Sequence, residues 1–255
     1  MTNDASEVSM RDKVVLITGG AGGLGLAFVE RFRQAGARVY CVDLPRDGIN
    51  ESPDFIGCDV TQVGDLQRAV QRIVTQSGRL DICIANAGWV PPWRSTSELQ
   101  IDEWERAQAI NVRGVAFTLS ASAAALKASQ GVALVMSSVN GRFAHGQQMA
   151  YSASKHAVLG IMRAAARDLG PHGVRVNAIA PGPVATSALR ARVSARSGYS
   201  AEAEENALQS MAEGNALRRL VKVEEVADAA FFLCSSASSG ITGTVLPVDA
   251  GIECI

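Results

Sequence analysis

The sequence predicts an α/β protein built on a doubly wound parallel sheet of about seven strands, with helices on both faces. Three observations predict it. Short apolar runs alternate with longer stretches of helical spacing along the whole chain. The runs are continuously apolar, as strands buried on both faces should be. A glycine-rich loop, TGGAGGLG at Thr18–Gly25, joins the first apolar run to the first helical stretch.

The elements follow in order. KVVLITGG is the first strand, and a helix is expected from about Gly23 to Gln34. ARVYCVDL is the second strand and DFIGCDV the third. Only sixteen residues separate Asp43 from Asp59, so the second crossover is expected to be abbreviated to a turn or two. A helix from about Val63 to Thr75 precedes LDICIANAG, and a long helical region from about Glu98 to Lys127 precedes GVALVMSS. A helix from about Ala150 to Leu169 leads to GVRVNAIAPG, and one from about Val223 to Leu233 leads to GTVLPVDAG. Strand–helix alternation implies right-handed crossovers and a Rossmann-type sheet. No repeat or linker divides the chain, so residues 1–255 read as one dinucleotide-binding and catalytic domain, with an insertion at about 185–220.

Composition narrows the partners. The chain has 255 residues, 47% hydrophobic and 19% charged, with a net charge of -1. Such a balance offers no basic stripe for nucleic acid. No apolar run is seen to approach the ~18–20 residues of a membrane span, and MTNDASEVSMRDK lacks the apolar core of a secretory signal. A cytoplasmic protein with no membrane or nucleic-acid partner is expected. The five cysteines form no C-x-x-C pair and read as reduced thiols, and His145, His156 and His172 lack metal-ligand spacing, so no metal is expected.

In sheets of this kind ligands bind beyond the carboxyl ends of the strands. Gly19, Asp43, Asp59, Asn86, Ser138 and Pro181 each follow an apolar run, so one sheet edge gathers them. Gly19, Gly23 and Gly25 fit G-x-x-x-G-x-G, with Leu24 inside the motif. Glycines there permit a tight turn and close approach to a diphosphate, and the helix N-terminus supplies N–H donors. A P-loop would need Gly-Lys-Ser/Thr; Leu26 and Ala27 follow instead. Asp43 ends the second strand about twenty residues on, where a carboxylate can bind an adenosine ribose hydroxyl and repel a 2′-phosphate. That favours NAD(H) over NADP(H), with Arg46 the nearest residue able to undermine the preference. A helix cap or turn is the plainer use of such an Asp.

Tyr151 and Lys155 stand four residues apart in AYSASKHAVLG, on one face of a helix. By itself such a pair is usually an exposed surface contact. With its companions it resembles the short-chain dehydrogenase/reductase superfamily, in its short single-domain branch. The likeness runs from Lys13 to Gly251. Its marks are T-G-x-x-x-G-x-G at Thr18–Gly25, Asp59–Val60, Asn86-Ala87-Gly88, Asn111, Ser138, Tyr151-x-x-x-Lys155, Pro181–Gly182 and Thr186.

The resemblance implies hydride transfer between NAD(H) and a secondary alcohol or ketone. A free phenol has a pKa of about 10, so a base near neutrality needs positive charge beside it. Lys155 and an oxidised nicotinamide would supply that charge to Tyr151. Ser138, thirteen residues earlier, would orient the substrate oxygen, with Ser137 the alternative. Asn111 would hold a water linking Lys155 to solvent. Pro181, Gly182, Val184 and Thr186 would lie by the nicotinamide, Asn86, Ala87 and Gly88 by the adenine ribose, and Asp59 and Val60 by the adenine.

A Ser-His-Asp hydrolase would need G-x-S-x-G, which is absent. An NADPH-dependent ketoreductase and a nicotinamide-binding sensor without turnover are the rival readings. ATSALRARVSARSGYSAEAEENALQSMAEGNALRRL, from Ala185 to Leu220, reads as amphipathic helices joined at SGYS and suits a mobile lid or a plain surface insertion. Trp89, Trp93, His145, Gln147 and Gln148 can line a substrate pocket, though the tryptophans can equally serve a subunit contact. Alanine-rich helices around Glu103–Lys127 and Ala150–Leu169 suit helix–helix contact between subunits, so by analogy a homodimer or homotetramer is expected.

Overall fold

The computed structural model describes residues 9–45 and 52–254. Seven strands form one parallel sheet: β1 Val14–Thr18, β2 Arg38–Asp43, β3 Phe55–Gly57, β4 Ile82–Ala85, β5 Val132–Met136, β6 Arg175–Pro181 and β7 Val245–Val248. Their spatial order is β3-β2-β1-β4-β5-β6-β7. The order reverses between β1 and β4, which opens a crevice at the carboxyl edge.

Side chains alternate along each strand and divide the core in two. Val14 and Leu16 of β1, with Tyr40 and Val42 of β2, face α2 (Val63–Ser77), α4 (Gly114–Ser129) and α5 (Met149–Leu169). Val15 and Ile17 face α1 (Gly23–Gln34) and α8 (Val223–Cys234), where Phe32 and Phe231 meet with ring centroids 5.5 Å apart. Strands buried on both sides explain the continuous apolar runs. Each fully buried Leu, Ile or Phe contributes about 1.5–3 kcal/mol.

Helix boundaries follow local chemistry. α2 runs two residues past its expected end and stops where Gly78 turns left-handed at φ 73°. The long region expected from Glu98 is interrupted. α3 (Ile101–Ala107) passes into a wider π-helical turn over Gln108–Arg113 before α4 begins. Such bulges often mark functional positions. By length and composition Ile101–Ser129 is apolar enough to cross a membrane, which corrects the expectation that no run approaches that size. Its Val115, Leu119 and Leu126 are nonetheless packed into the core of the fold. The insertion folds as α6 (Ser187–Arg196) and α7 (Ala201–Glu213), joined through the expected SGYS turn. The abbreviated crossover and Arg46 fall mainly or wholly on residues 46–51, outside the described residues, as does the start of the N-terminal segment.

Cys41, Cys58, Cys83 and Cys234 are buried, while Cys254 is exposed. At the amino edge of the sheet, Asp81 is only 3% exposed. It accepts from the Val14 N–H at 3.0 Å, the Arg79 Nε at 2.8 Å and the Lys13 Nζ at 3.4 Å. Burial pushes its carboxyl up, but these three donors outweigh burial and hold it below the ordinary carboxylate range.

Candidate active site

The carboxyl edge opens into a cavity of about 1110 Å³. The glycine loop forms one wall. Gly19 adopts φ +65°, and a Cβ there would lie 2.8 Å from the Ala87 Cα. At Gly25 a Cβ would lie 1.9 Å from the Gly19 carbonyl oxygen, so only glycine lets α1 sit this close to the loop. Gly25 is therefore a packing residue behind the wall, whereas Gly19, Gly23 and Leu24 line the cavity. Gly22 is the N-cap of α1, with no side-chain cap and no acid in the first turn. Gly22 and Gly23 have open space where a Cβ would stand. This cradle fits a diphosphate at a helix N-terminus.

Asn86 braces that cradle. Its Nδ2 donates to the Thr18 and Gly19 carbonyls, both at 3.0 Å. The backbone N–H groups of Asn86 and Ala87 donate to Thr18 Oγ1, each at 3.1 Å. The Asn86 amide thus holds the loop against the end of β4. Asp43 takes the Ala21 N–H at 2.9 Å on one oxygen and the Leu44 N–H at 2.7 Å on the other, and it lines the cavity. Farther along, Asp59 and Val60 line the same wall; Asp59 caps its own turn by accepting from the Thr61 N–H at 2.9 Å.

Ser138, Tyr151 and Lys155 converge on the opposite wall. The two candidate serines at the end of β5 are distinguished by their partners. Ser137 Oγ donates to the Lys155 carbonyl at 3.1 Å and ties down α5. Ser138 Oγ donates to the Pro181 carbonyl at 3.5 Å, accepts from the Asn140 N–H at 3.2 Å, and lines the cavity with Tyr151. Helical spacing puts the Lys155 Nζ 5.8 Å from the Tyr151 ring centroid. That amine donates to the Met136 carbonyl at 2.6 Å.

Burial dominates the electrostatics of the Tyr151–Lys155 pair in the protein alone. Burial pushes the Tyr151 phenol above its ordinary value, while the neighbouring Ser138 hydroxyl and the charge of Arg192 pull it down without overcoming burial. Lys155 is not among the groups that lower it. Burial also lowers the Lys155 amine, to about 8.

Asn111 sits in the π-helical turn and is fully buried behind the cavity wall. Its Nδ2 donates to the Trp89 carbonyl at 2.8 Å and to Ser154 Oγ at 3.0 Å, and its Oδ1 accepts from the Trp89 N–H at 2.7 Å. A Cβ on Gly88 would lie 3.5 Å from Asn111 Oδ1 and 3.6 Å from Lys155 Nζ, so the two polar groups flank this glycine.

Beyond β6, Pro181, Gly182, Val184 and Thr186 all line the cavity. Gly182 packs against β7's end, where a Cβ would lie 2.9 Å from the Asp249 Cα. Thr186 caps α6, accepting from the Leu189 N–H at 3.1 Å. The sequence reading missed Arg192 and Arg196, which line the cavity from α6 and lie 4.3 and 5.1 Å from the Trp93 ring centroid. Their four-residue spacing was visible, but nothing local told which helix face meets the cavity. Ala87, Gly88, Trp89, Trp93, His145 and Gln148 also line it.

A family model described as enoyl-(acyl carrier protein) reductase matches residues 19–253. Short-chain dehydrogenase reductase 3b of Arabidopsis thaliana is 34% identical over 253 residues, covering 95% of this chain and 96% of that one. The ligand-free aldohexose dehydrogenase of Thermoplasma acidophilum superposes with a TM-score of 0.90 at 30% identity, covering 98% of this chain and 97% of that one. Carveol dehydrogenase from Mycobacterium avium, solved in complex with NAD, gives a TM-score of 0.88 at 30% identity, covering 98% and 100%. The chain belongs to the short-chain dehydrogenase/reductase family. It is an oxidoreductase of the kind that acts on CH–OH groups.

Proposed function

We propose that the protein transfers a hydride between NAD(H) and a secondary alcohol or its ketone, with residues 1–255 acting as one catalytic domain and 185–220 as its substrate lid. One observation carries this reading: a single cavity joins the uncapped glycine cradle and Asp43 to Ser138, Tyr151 and Lys155. Bound NAD⁺ or NADH supplies the hydride acceptor or donor. The cradle of Gly19, Gly22 and Gly23 fits its diphosphate, and Asp43 fits a ribose diol as acceptor. Leu44, Cys58, Asp59 and Val60 line the adenosine end, and none of these described residues is a cation that would favour a 2′-phosphate.

The remaining work belongs to the chain's own side chains. The Ser138 hydroxyl holds the substrate oxygen beside the phenol. Tyr151 takes the hydroxyl proton during oxidation and returns it during reduction. Lys155 keeps a cation close to the phenol, and Asn111 positions the Trp89 backbone across Gly88. Because burial holds the free phenol above its ordinary value, alcohol oxidation should speed up as pH rises, while ketone reduction should persist to lower pH.

Initial rates with NAD⁺ and NADP⁺ across a panel of secondary alcohols test the cofactor and the chemistry together. A strong preference for NADP⁺ would overturn the use of Asp43. Tyr151→Phe should lower turnover by about 10³-fold or more while NADH still binds, as read by its fluorescence. Unaltered turnover would remove Tyr151 from the mechanism.

A further inference from the structure

Arginines around the cavity are treated in two ways. Arg190 of α6 points at α7, 3.6 Å from Glu204 and 3.8 Å from Glu205. Arg94 grips Glu103 with two bonds of 2.6 and 2.8 Å. Arg192 and Arg196 line the cavity, and among the described residues neither has a carboxylate within ion-pair distance. The Nε of Arg192 is shielded from solvent and has no hydrogen-bond partner among the described residues.

A buried N–H of a guanidinium without an acceptor is costly, and arginine does not escape by losing its proton. Its stacking 4.3 Å from the Trp93 centroid supports the plane of the group but satisfies none of its N–H donors. Such a fork matches the two oxygens of a carboxylate.

The rest of the chamber agrees in charge. Among the described residues, the acids that line the cavity are Asp43 and Asp59, both at the adenosine end. Around Tyr151 the polar lining is neutral or cationic: Ser138, Asn140, His145, Gln148, Arg192 and Arg196. The His145 ring is itself held by Asn140 Oδ1 at 2.8 Å. Arg192 is close enough to Tyr151 for the two to interact electrostatically. The cation and the reacting hydroxyl therefore share one chamber.

We propose that Arg192, supported by Trp93 and Arg196, is a carboxylate subsite, and that the substrate is a short hydroxy acid oxidised to its keto acid. This inference rests on the dehydrogenase reading above and narrows its substrate class. The carboxylate stays unreacted: the carbinol carbon loses a hydride to NAD⁺ and its oxygen loses a proton to Tyr151.

The test compares 2-, 3- and 4-hydroxy acids with their methyl esters, using the full-length protein and NAD⁺. A charge-assisted pair of hydrogen bonds should favour the best acid over its ester by about 30-fold in kcat/KM, mainly through KM. In Arg192→Met that ratio should shrink to below about threefold, with Arg192→Lys intermediate and NADH affinity retained. Esters turned over as well as acids would overturn the subsite while leaving the dehydrogenase reading intact. So would an Arg192→Met loss equal for acids and esters, which would instead make Arg192 an electrostatic aid to Tyr151. A loss of NADH affinity in that variant would overturn it too, by placing Arg192 on the cofactor. Preference for a phosphate ester over every acid would overturn the carboxylate assignment. Should no alcohol react, acetate and propionate are titrated with and without NADH while tryptophan fluorescence is followed. A saturable change, absent in Arg192→Met, supports the subsite; no change overturns it.

Discussion

The two edges of the sheet handle buried charge in opposite ways. At the amino edge, Asp81 is surrounded by donors from β1 and from its own loop, and its charge is compensated. At the carboxyl edge, Lys155 is 5% exposed with one carbonyl partner, and Arg192 has an Nε without any among the described residues. Compensation at one edge stabilises the fold. Incomplete compensation at the other costs stability and leaves donors ready for a ligand. The same chain that pairs Asp81 so fully could have paired Arg192 with a glutamate, as it does Arg190.

The sharpest way to break this comparison is Lys155→Met. Turnover should fall by about 10²–10⁴-fold, yet the melting temperature should hold or rise, since a cation made costly by burial is removed. A marked fall in melting temperature would place Lys155 with Asp81 as a structural charge.

Gly25→Ala comes next. Its Cβ would overlap the Gly19 carbonyl, so α1 must move away from the cradle. NADH binding, followed by fluorescence titration, should weaken by about tenfold or more, with a stability loss of about 1–3 kcal/mol. Retained affinity would show that the cradle tolerates a displaced helix.

Asp81→Ala probes the compensated edge. Arg79 and Lys13 can return to water, but the Val14 N–H cannot. A loss of about 2 kcal/mol, or roughly 4–8 °C in melting temperature, should appear with kcat unaffected.

The smallest effect is the pH dependence of that difference. The Asp81 pKa is lowered in the folded state, so its contribution is present above the unfolded carboxylate value of about 3.9 and fades as pH falls through the lower folded value. Denaturant midpoints of the parent protein and Asp81→Ala should therefore converge in acid. A constant gap would deny that the charge of Asp81 is what matters.

Much of this was legible in order along the chain. Runs such as VVLIT and VALVM betray strands buried on both faces, because no other exposure pattern removes polar alternation. The helical period places Tyr151 and Lys155 on one face without any tertiary information. Steric need was legible at Gly19 and Gly25, but not that one lines the cavity while the other only packs behind it. Asn86 was expected beside the ribose and lines the cavity, but that its amide also ties the glycine loop to β4 was not legible. Local spacing cannot say where a side chain's donors go once three segments meet. The π-helical turn at Asn111 was equally hidden, since one extra residue per turn leaves no compositional trace. The phenol's electrostatics depend on burial, which a four-residue spacing does not contain.

The sequence alone determined the strand order along the chain, the glycine cradle, the acid after β2 and the Tyr–Lys face of α5. All of these follow from periodicity and backbone sterics within one or two elements. Only the tertiary structure decided which charges would be compensated. Whether Asp81 finds donors and Arg192 does not depends on residues far apart in sequence, brought together by the crossovers and by the docking of α6 over the cavity.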